Sequence, residues 1–423
     1  MMKKAQIVKC NAREILDSRG KPTVEATVFL TDGTVGVASV PSGASTGEHE
    51  ALELRDGDRS RFGGLGVLDA VCNICLKISP AISGICASEQ HEIDRILLEL
   101  DGTKSKSELG ANAMLAVSLA TARAAANSFG IPLYRYLGGA GAYRLPVPML
   151  NILNGGAHAN NNMEIQEFMI VPVGAESFSE AIRISCEIYH KLGAILKESG
   201  HATSVGDEGG FAPSLDSDEE AIELIIRAIR EASYDTDTVK LALDAASSEW
   251  YSPDKKLYVQ KKRGTEKSTD ELIEYYRQLC SAYPIISLED GLDQNDFPAW
   301  RRLTSKLRGV MTVGDDLYVT NTRRLNEGIR EHSSNAILIK PNQIGTLTET
   351  LDVIRLSRNA NMKYIVSHRS GETEDTTIAD IAVGTNAPFV KFGAPCRSER
   401  TAKYNRLIRI ESSLNSSARY FYG

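Results

Sequence analysis

Six short apolar runs in the second half of the chain each close on a polar or charged residue: VKLALD, PIISLE, GVMTVG, NAILIK, KYIVS and APFVK. The closing residues are Asp244, Glu289, Asp315 (one past Gly314), Lys340, His368 (one past Ser367) and Lys391, separated by 45, 26, 25, 28 and 23 residues. Runs of this length read as strands, and the shorter gaps each fit one helix and two loops. The 45-residue gap leaves room for an excursion, and YSPDKKLYVQKKRG after Asp244 reads as one. Continuous apolar strands alternating with amphipathic helices predict a parallel sheet covered by helices. Many such units favour closure into a barrel, where reactive groups gather at the C-terminal strand ends. The six closing residues would then share one site. An open doubly wound sheet is the alternative. The chain has no G-x-G-x-x-G after a strand and no G-x-x-x-x-G-K-[ST], so nucleotide-binding versions of that sheet have little support.

The first part of the chain has another texture. Residues 4–41 read as β-structure, with TVEATVFL and TVGVASV forming a hairpin about Asp32-Gly33. From about 66 to 130 the sequence is Ala/Leu-rich at helical spacing. Proline and glycine then cluster over 131–148, a domain junction. The expected organisation is an N-terminal α+β domain over 1–138 and a C-terminal α/β domain over 139–423.

The 423 residues carry 48 Lys+Arg against 55 Asp+Glu, net −7, which argues against nucleic-acid binding as a main role. Seven scattered cysteines favour a reducing compartment over a disulfide framework. Cys72 and Cys75 form a lone C-x-x-C without a second ligand pair, and are expected to be buried helix cysteines. The N-terminal MMKKAQIVKCNARE lacks the apolar core of a secretory signal. No run approaches the ~20 apolar residues of a membrane span, so no membrane insertion and a cytoplasmic location are expected.

Asp244, Glu289 and Asp315 at successive strand ends make a hard oxygen site of the kind Mg²⁺ prefers. Three acids drawn together without a cation would repel. Taken one at a time, each acid would instead cap the following helix. Lys340, His368-Arg369 and Lys391 follow on later strand ends, giving one acidic and one basic side of the mouth, suited to an anionic substrate. SHRSG (367–371) suits a phosphate, through the Arg369 fork, the Ser370 hydroxyl and backbone N–H groups; the alternative is Arg369 paired to the nearby ETED acids. Among cations, the Lys340 ammonium is expected to lose pKa. A neutral lysine there takes a proton from carbon beside a carboxylate, with Mg²⁺ stabilising the enediolate.

Three glycine-rich segments complete the set. PSGASTGEHEALELRDGD (41–58) would close over a ligand and exclude water. NILNGGAHANNNMEIQEFMI (151–170) carries His158, Gln166 and Glu167, and SVGDEGGFAP (204–213) holds Glu208 between glycines, where a carboxyl would act as acid. Each glycine cluster alone also reads as a plain turn, and Asp207-Glu208 as a solvated pair.

Together these motifs resemble the enolase family along nearly the whole chain, from REILDSRGKPTVEA to RSERTAKYNRLIRIE, with SGASTG, GDEGGFAP, SLEDGLDQNDF, VGDDLYVTN, IKPNQIGT and SHRSGETEDT in family order. A lysine base with Mg²⁺ is a known arrangement of that superfamily. The resemblance implies an N-terminal α+β domain, a modified eight-fold α/β barrel and Mg²⁺-dependent, reversible dehydration of 2-phosphoglycerate to phosphoenolpyruvate. It implies Lys340 as the base at C2 and Glu208 as the acid at the C3 hydroxyl. It further implies Asp244, Glu289 and Asp315 on the tighter Mg²⁺, and Ser42 on a second. Arg369 and Ser370 would hold the phosphate and Lys391 the carboxylate side. Gln166 and Glu167 would stand at the hydroxyl end, with His158 and His368 as further pocket residues. A homodimer or an assembly of dimers is expected.

Lys21, Leu65 and Phe392 depart from the family pattern, where Asn, Lys and Thr are common. A ring at 392 either shifts Lys391 or alters only the packing behind it. Two alternatives stay open at this point: an acid-sugar dehydratase or racemase of the same superfamily, and a binding or structural protein on the same scaffold.

Overall fold

The computed structural model describes residues 5–43 and 47–420. Part of the SGASTG segment (44–46), expected to close over a ligand, lies outside the described residues. The N-terminal hairpin forms as expected and gains a third strand. β1 (Ile7–Leu16), β2 (Pro22–Leu30) and β3 (Val35–Ser39) make an antiparallel sheet in that order. The Ala-rich helix Ala111–Ser128 lies directly on this sheet. Its small side chains permit the approach, and so does Gly36, where a Cβ would stand 2.2 Å from the Ala120 carbonyl oxygen. Cys72 lies in a helix but is exposed, and Cys75 is half-buried, which corrects the expectation of burial. The apolar neighbours that suggested burial belong to the helix face packed on β1, where Ala70, Ile74 and Ile78 are the buried residues.

The second part is a closed eight-stranded barrel. Its strands are β4 (Val147–Asn154), β5 (Glu167–Val171), β6 (Lys240–Asp244), β7 (Ile285–Glu289), β8 (Met311–Gly314), β9 (Ala336–Ile339), β10 (Lys363–Ser367) and β11 (Phe389–Lys391). β6 to β11 are the six runs legible in the sequence. The parallel expectation holds except at β5, which runs antiparallel to both β4 and β6. The β4–β5 connection, 155–166, has no crossover helix beyond one short turn at Gly156–His158, so the chain returns as a hairpin does. The excursion after Asp244 folds as three short antiparallel strands over Tyr251–Lys267.

Helix starts follow local chemistry. Ser177, Ser217, Ser268 and Thr346 each accept from the backbone N–H three residues on, and that third residue is a glutamate each time. In NAILIKPNQIG the run Ala336–Ile339 is wholly buried. Lys340 caps a one-turn helix with Pro341 at its first position, and Gly345 ends that turn at φ +96°.

Candidate active site

Side chains alternate along a strand, and the inward faces of the barrel change character along their length. Met169, Ala242, Val313, Leu338, Ile365 and Phe389 belong to one apolar cluster, separate from the main core. Two residues further on the same faces stand Asp244, Asp315, Lys340, Ser367 and Lys391. β5 runs the other way, so Glu167, two residues before Met169, reaches the same rim. The register pairs Glu167 with Asp244 and Asp244 with Glu289. Three carboxylates thus stand on adjacent strands about 4.8 Å apart, each under a tenth exposed.

The acidic and basic sides expected from the sequence are interleaved instead, because buried like charges require partners. Lys391 Nζ lies 2.9 Å from Asp244 Oδ2, 2.9 Å from Glu289 Oε1 and 3.2 Å from Glu167 Oε2. Burial disfavours the Lys391 ammonium, but these carboxylates outweigh it and hold its pKa well above the ordinary lysine value. Lys340 Nζ donates to Asp315 Oδ2. Its pKa is not lowered in the protein alone: burial, the largest single influence, acts downward, but the neighbouring carboxylates, Asp315 first and Glu289 with it, together carry the net direction up. Glu289 and Glu167 are pushed well above the carboxylate range, first by burial and then by Asp244 and Glu208 respectively. Burial and the Asp315 charge raise Asp316 to about 7.

Among the described residues lining the pocket, eight are carboxylates (Glu50, Glu167, Glu208, Asp244, Glu249, Asp290, Asp315, Asp316) and three are cations (Lys340, Arg369, Lys391). This excess of acid, with Glu289 Oε2 buried and without a hydrogen-bond partner, fits hard divalent cations. Asp290, Asp315 and Asp316 bring one ligand oxygen each within 4.8 Å of one another and could hold such an ion. Asp290 already accepts the Asp315 and Asp316 N–H groups at 2.9 and 2.8 Å, so it shapes the turn that presents the other two.

The loop residues converge on the same pocket. Glu208 is buried; Gly210 lets its turn lie flat on β4, since a Cβ there would stand 2.5 Å from Asn154 Oδ1. Asn151 Nδ2 donates to Glu208 Oε2 at 3.1 Å. His158 Nδ1 lies 3.6 Å from Glu167 Oε1 and 3.8 Å from Glu208 Oε1, and its Nε2 lies 3.4 Å from Ser370 Oγ. Gln166 Nε2 reaches Asp244 Oδ2 at 3.5 Å. Arg369 is buried, and its guanidinium pairs with both oxygens of Glu50, at 2.8 and 3.2 Å, from the segment expected to close.

Ser42 does not line the pocket. Its hydroxyl donates to Asp17 Oδ2 at 2.6 Å and accepts from Arg19 at 2.8 Å, while its backbone pairs with Gly371. Phe392 resolves as packing behind the site. Its ring is fully buried in the main core, tilted 48° against Tyr404 at 6.0 Å, while Lys391 faces inward. Lys21 and Leu65 are exposed. Sequence reasoning missed Glu50, Asn151, Asp290, Asp316 and Arg400. Asp290 and Asp316 had a signal, each being the second acid of an ED or DD pair at a strand end.

The chain matches the family model for the enolase N-terminal domain over residues 7–137 and that for the enolase C-terminal TIM barrel domain over 142–422. With both domains matched in order, on a closed barrel whose rim gathers acids around two lysines, the chain belongs to the enolase family and is a hydro-lyase.

Proposed function

We propose that this enolase-family enzyme dehydrates 2-phosphoglycerate to phosphoenolpyruvate, and catalyses the reverse, with Lys340 as the base and Glu208 as the acid. The supporting observation is that both line one pocket yet reach it from different places. Lys340 comes from the end of β9. Glu208 is held beside β4, three strands round the barrel. A substrate between them meets a proton acceptor at C2 and a proton donor at C3 without either group doing both tasks.

Lys340 Nζ takes the C2 proton in its neutral form. In the protein alone Asp315 keeps it protonated, so its basicity depends on Asp315 turning its charge elsewhere. Asp244, Glu289 and Asp315 would hold one Mg²⁺, and Ser42 would assist a second after its hydroxyl leaves Asp17. Bound there, the ions would neutralise the substrate carboxylate and stabilise the negative charge that develops when C2 loses its proton. Arg369 and Ser370 bind the phosphate, which requires Arg369 to share or release Glu50. Lys391 faces the carboxylate side, Gln166 and Glu167 the hydroxyl end, and His158 and His368 wall the pocket near Glu208. Glu208 delivers its proton to the departing C3 hydroxyl.

Domain limits at 1–138 and 139–423, a dimer-based assembly and a cytoplasmic location accompany this reading. Among the described residues no helix is long and apolar enough to cross a membrane.

Deuterium exchange at C2 separates the two roles. Lys340→Ala should abolish exchange in a folded protein, and Glu208→Gln should block dehydration while retaining exchange. Normal exchange in the first variant, or full turnover in the second, would remove the assignment.

A further inference from the structure

His368 has a neighbour that decides where its proton sits. Arg400, in the first turn of the helix Ser398–Leu414, is fully buried. Its Nη1 lies 2.7 Å from His368 Nδ1 and 2.5 Å from the Arg369 carbonyl oxygen. Its Nη2 lies 2.6 Å from the Ser370 carbonyl oxygen and 3.0 Å from that of Asp207. A guanidinium stays charged and only donates. His368 Nδ1 therefore accepts, and the proton of the neutral ring is on Nε2. Nε2 stands 3.4 Å from Glu208 Oε2.

The ring does not take a second proton readily, because Nδ1–H would face the arginine N–H. Burial, with the Arg400 charge, pushes His368 down to about 3 although Glu208 acts the other way. Gly393 lets these parts meet. It sits at φ +85°, and a Cβ there would lie 2.8 Å from the Glu208 carbonyl oxygen and 3.0 Å from both Arg400 Cδ and His368 Cε1.

Asn151 Nδ2 donates to Glu208 Oε2, and His368 Nε2, buried and without a hydrogen-bond partner of its own, stands 3.4 Å from the same oxygen, the nearest acceptor for its proton. Burial acts upward on Glu208, but His368, His158 and Arg400 outweigh it and hold its pKa well below the ordinary carboxylate value. A proton that Glu208 takes up to deliver is left to Oε1, which lies 3.8 Å from His158 Nδ1 and 3.4 Å from the Ser370 hydroxyl. With the other tautomer, the bare Nε2 would draw that proton to Oε2, turning it toward the ring.

We propose that Arg400 is a positioning residue for the acid: it locks His368 in the Nε2–H tautomer and so keeps the Glu208 proton on Oε1. It also ties the turn that carries Glu208 to the loop that carries Arg369 and Ser370. This inference rests on the reading of Glu208 as the acid.

The test is long-range ¹H–¹⁵N correlation on the ¹⁵N-histidine-labelled, Mg²⁺-loaded enzyme, with His368 assigned by the signal lost in His368→Gln. The expected result is a bare Nδ1 and a protonated Nε2, unchanged across about pH 5–8. A proton on Nδ1, or a ring that titrates in that range, would overturn the proposal without any Arg400 variant. In Arg400→Gln, His368 should lose its single tautomer and dehydration should fall about 10–100-fold, with C2 exchange retained. Arg400→Lys, which keeps a charged donor, should recover part of the loss. An unchanged tautomer in Arg400→Gln, or equal loss of exchange and dehydration, would refute the positioning role. If Glu208→Gln dehydrates normally, the acid reading has failed, whatever the tautomer.

Discussion

Lys391→Met isolates the charge at the centre of the barrel mouth. Methionine keeps most of the buried stem volume, so packing changes little. The ammonium it removes lies within 3.2 Å of Asp244, Glu289 and Glu167. Lys391 is 2% exposed, so water does not take its place cheaply. Removing one partner from a buried pair costs about 3–5 kcal/mol, mostly because the other charge is left uncompensated. At a urea slope of about 3 kcal/mol/M this lowers the unfolding midpoint by about 1–1.7 M, measured at neutral pH with chelator. The deficit should depend on pH in one direction. Glu289 and Glu167 have folded pKa values above the ordinary 4.5, so their folded state binds extra protons. Such stability is fully present below the unfolded value and is lost as pH rises through the folded one. Without Lys391 those folded values rise further. The variant's deficit is therefore smallest near pH 4.5 and grows toward neutral, and added Mg²⁺ narrows it. A variant that unfolds at the parent's midpoint in chelator at neutral pH would refute the claim that Lys391 compensates these acids.

Asp315→Asn keeps the shape of the strand end but removes its charge. It should raise the Mg²⁺ concentration needed for half-maximal activity, and an unaltered Mg²⁺ titration would take Asp315 out of the ligand set. Gly393→Ala places a side chain at φ +85° and 2.8 Å from a backbone carbonyl oxygen. The left-handed backbone alone costs about 1–2 kcal/mol, so the melting temperature should fall, and an unchanged one would show that the Glu208 turn retreats freely.

The parts of the fold legible in the sequence were those written in period and punctuation. Four of the six runs close on Asp244, Asp315, Lys340 and Lys391 because alternation carries an inward apolar residue to an inward polar one two places later; Glu289 follows Ser287 instead, and His368 lies one past the inward Ser367. β5 escaped because EFMIV resembles the other runs, and direction is not encoded in a run. The antiparallel return depends on what its loop lacks. The acids proposed to hold the metal are legible as strand ends, whereas Glu50 and Arg400 reach the site across 319 and 32 residues from the partners they hold, and no local pattern marks them. The direction of the Lys340 shift was misjudged because the sequence shows a lysine among cations, while its nearest group is the Asp315 carboxylate. Cys72 was misplaced because helical spacing fixes which residues share a face, not which face meets the sheet.

The central claim is that the barrel mouth eliminates water from a phosphorylated hydroxy acid with the help of a divalent cation. Formation of phosphoenolpyruvate from 2-phosphoglycerate and Mg²⁺, followed by ultraviolet absorbance with and without chelator, tests it most directly. The account predicts product that vanishes with chelator and returns when Mg²⁺ is restored. Folded protein that binds Mg²⁺ and yields no product would contradict it, and would leave Lys340 a buried ion-pair partner of Asp315 and not a base.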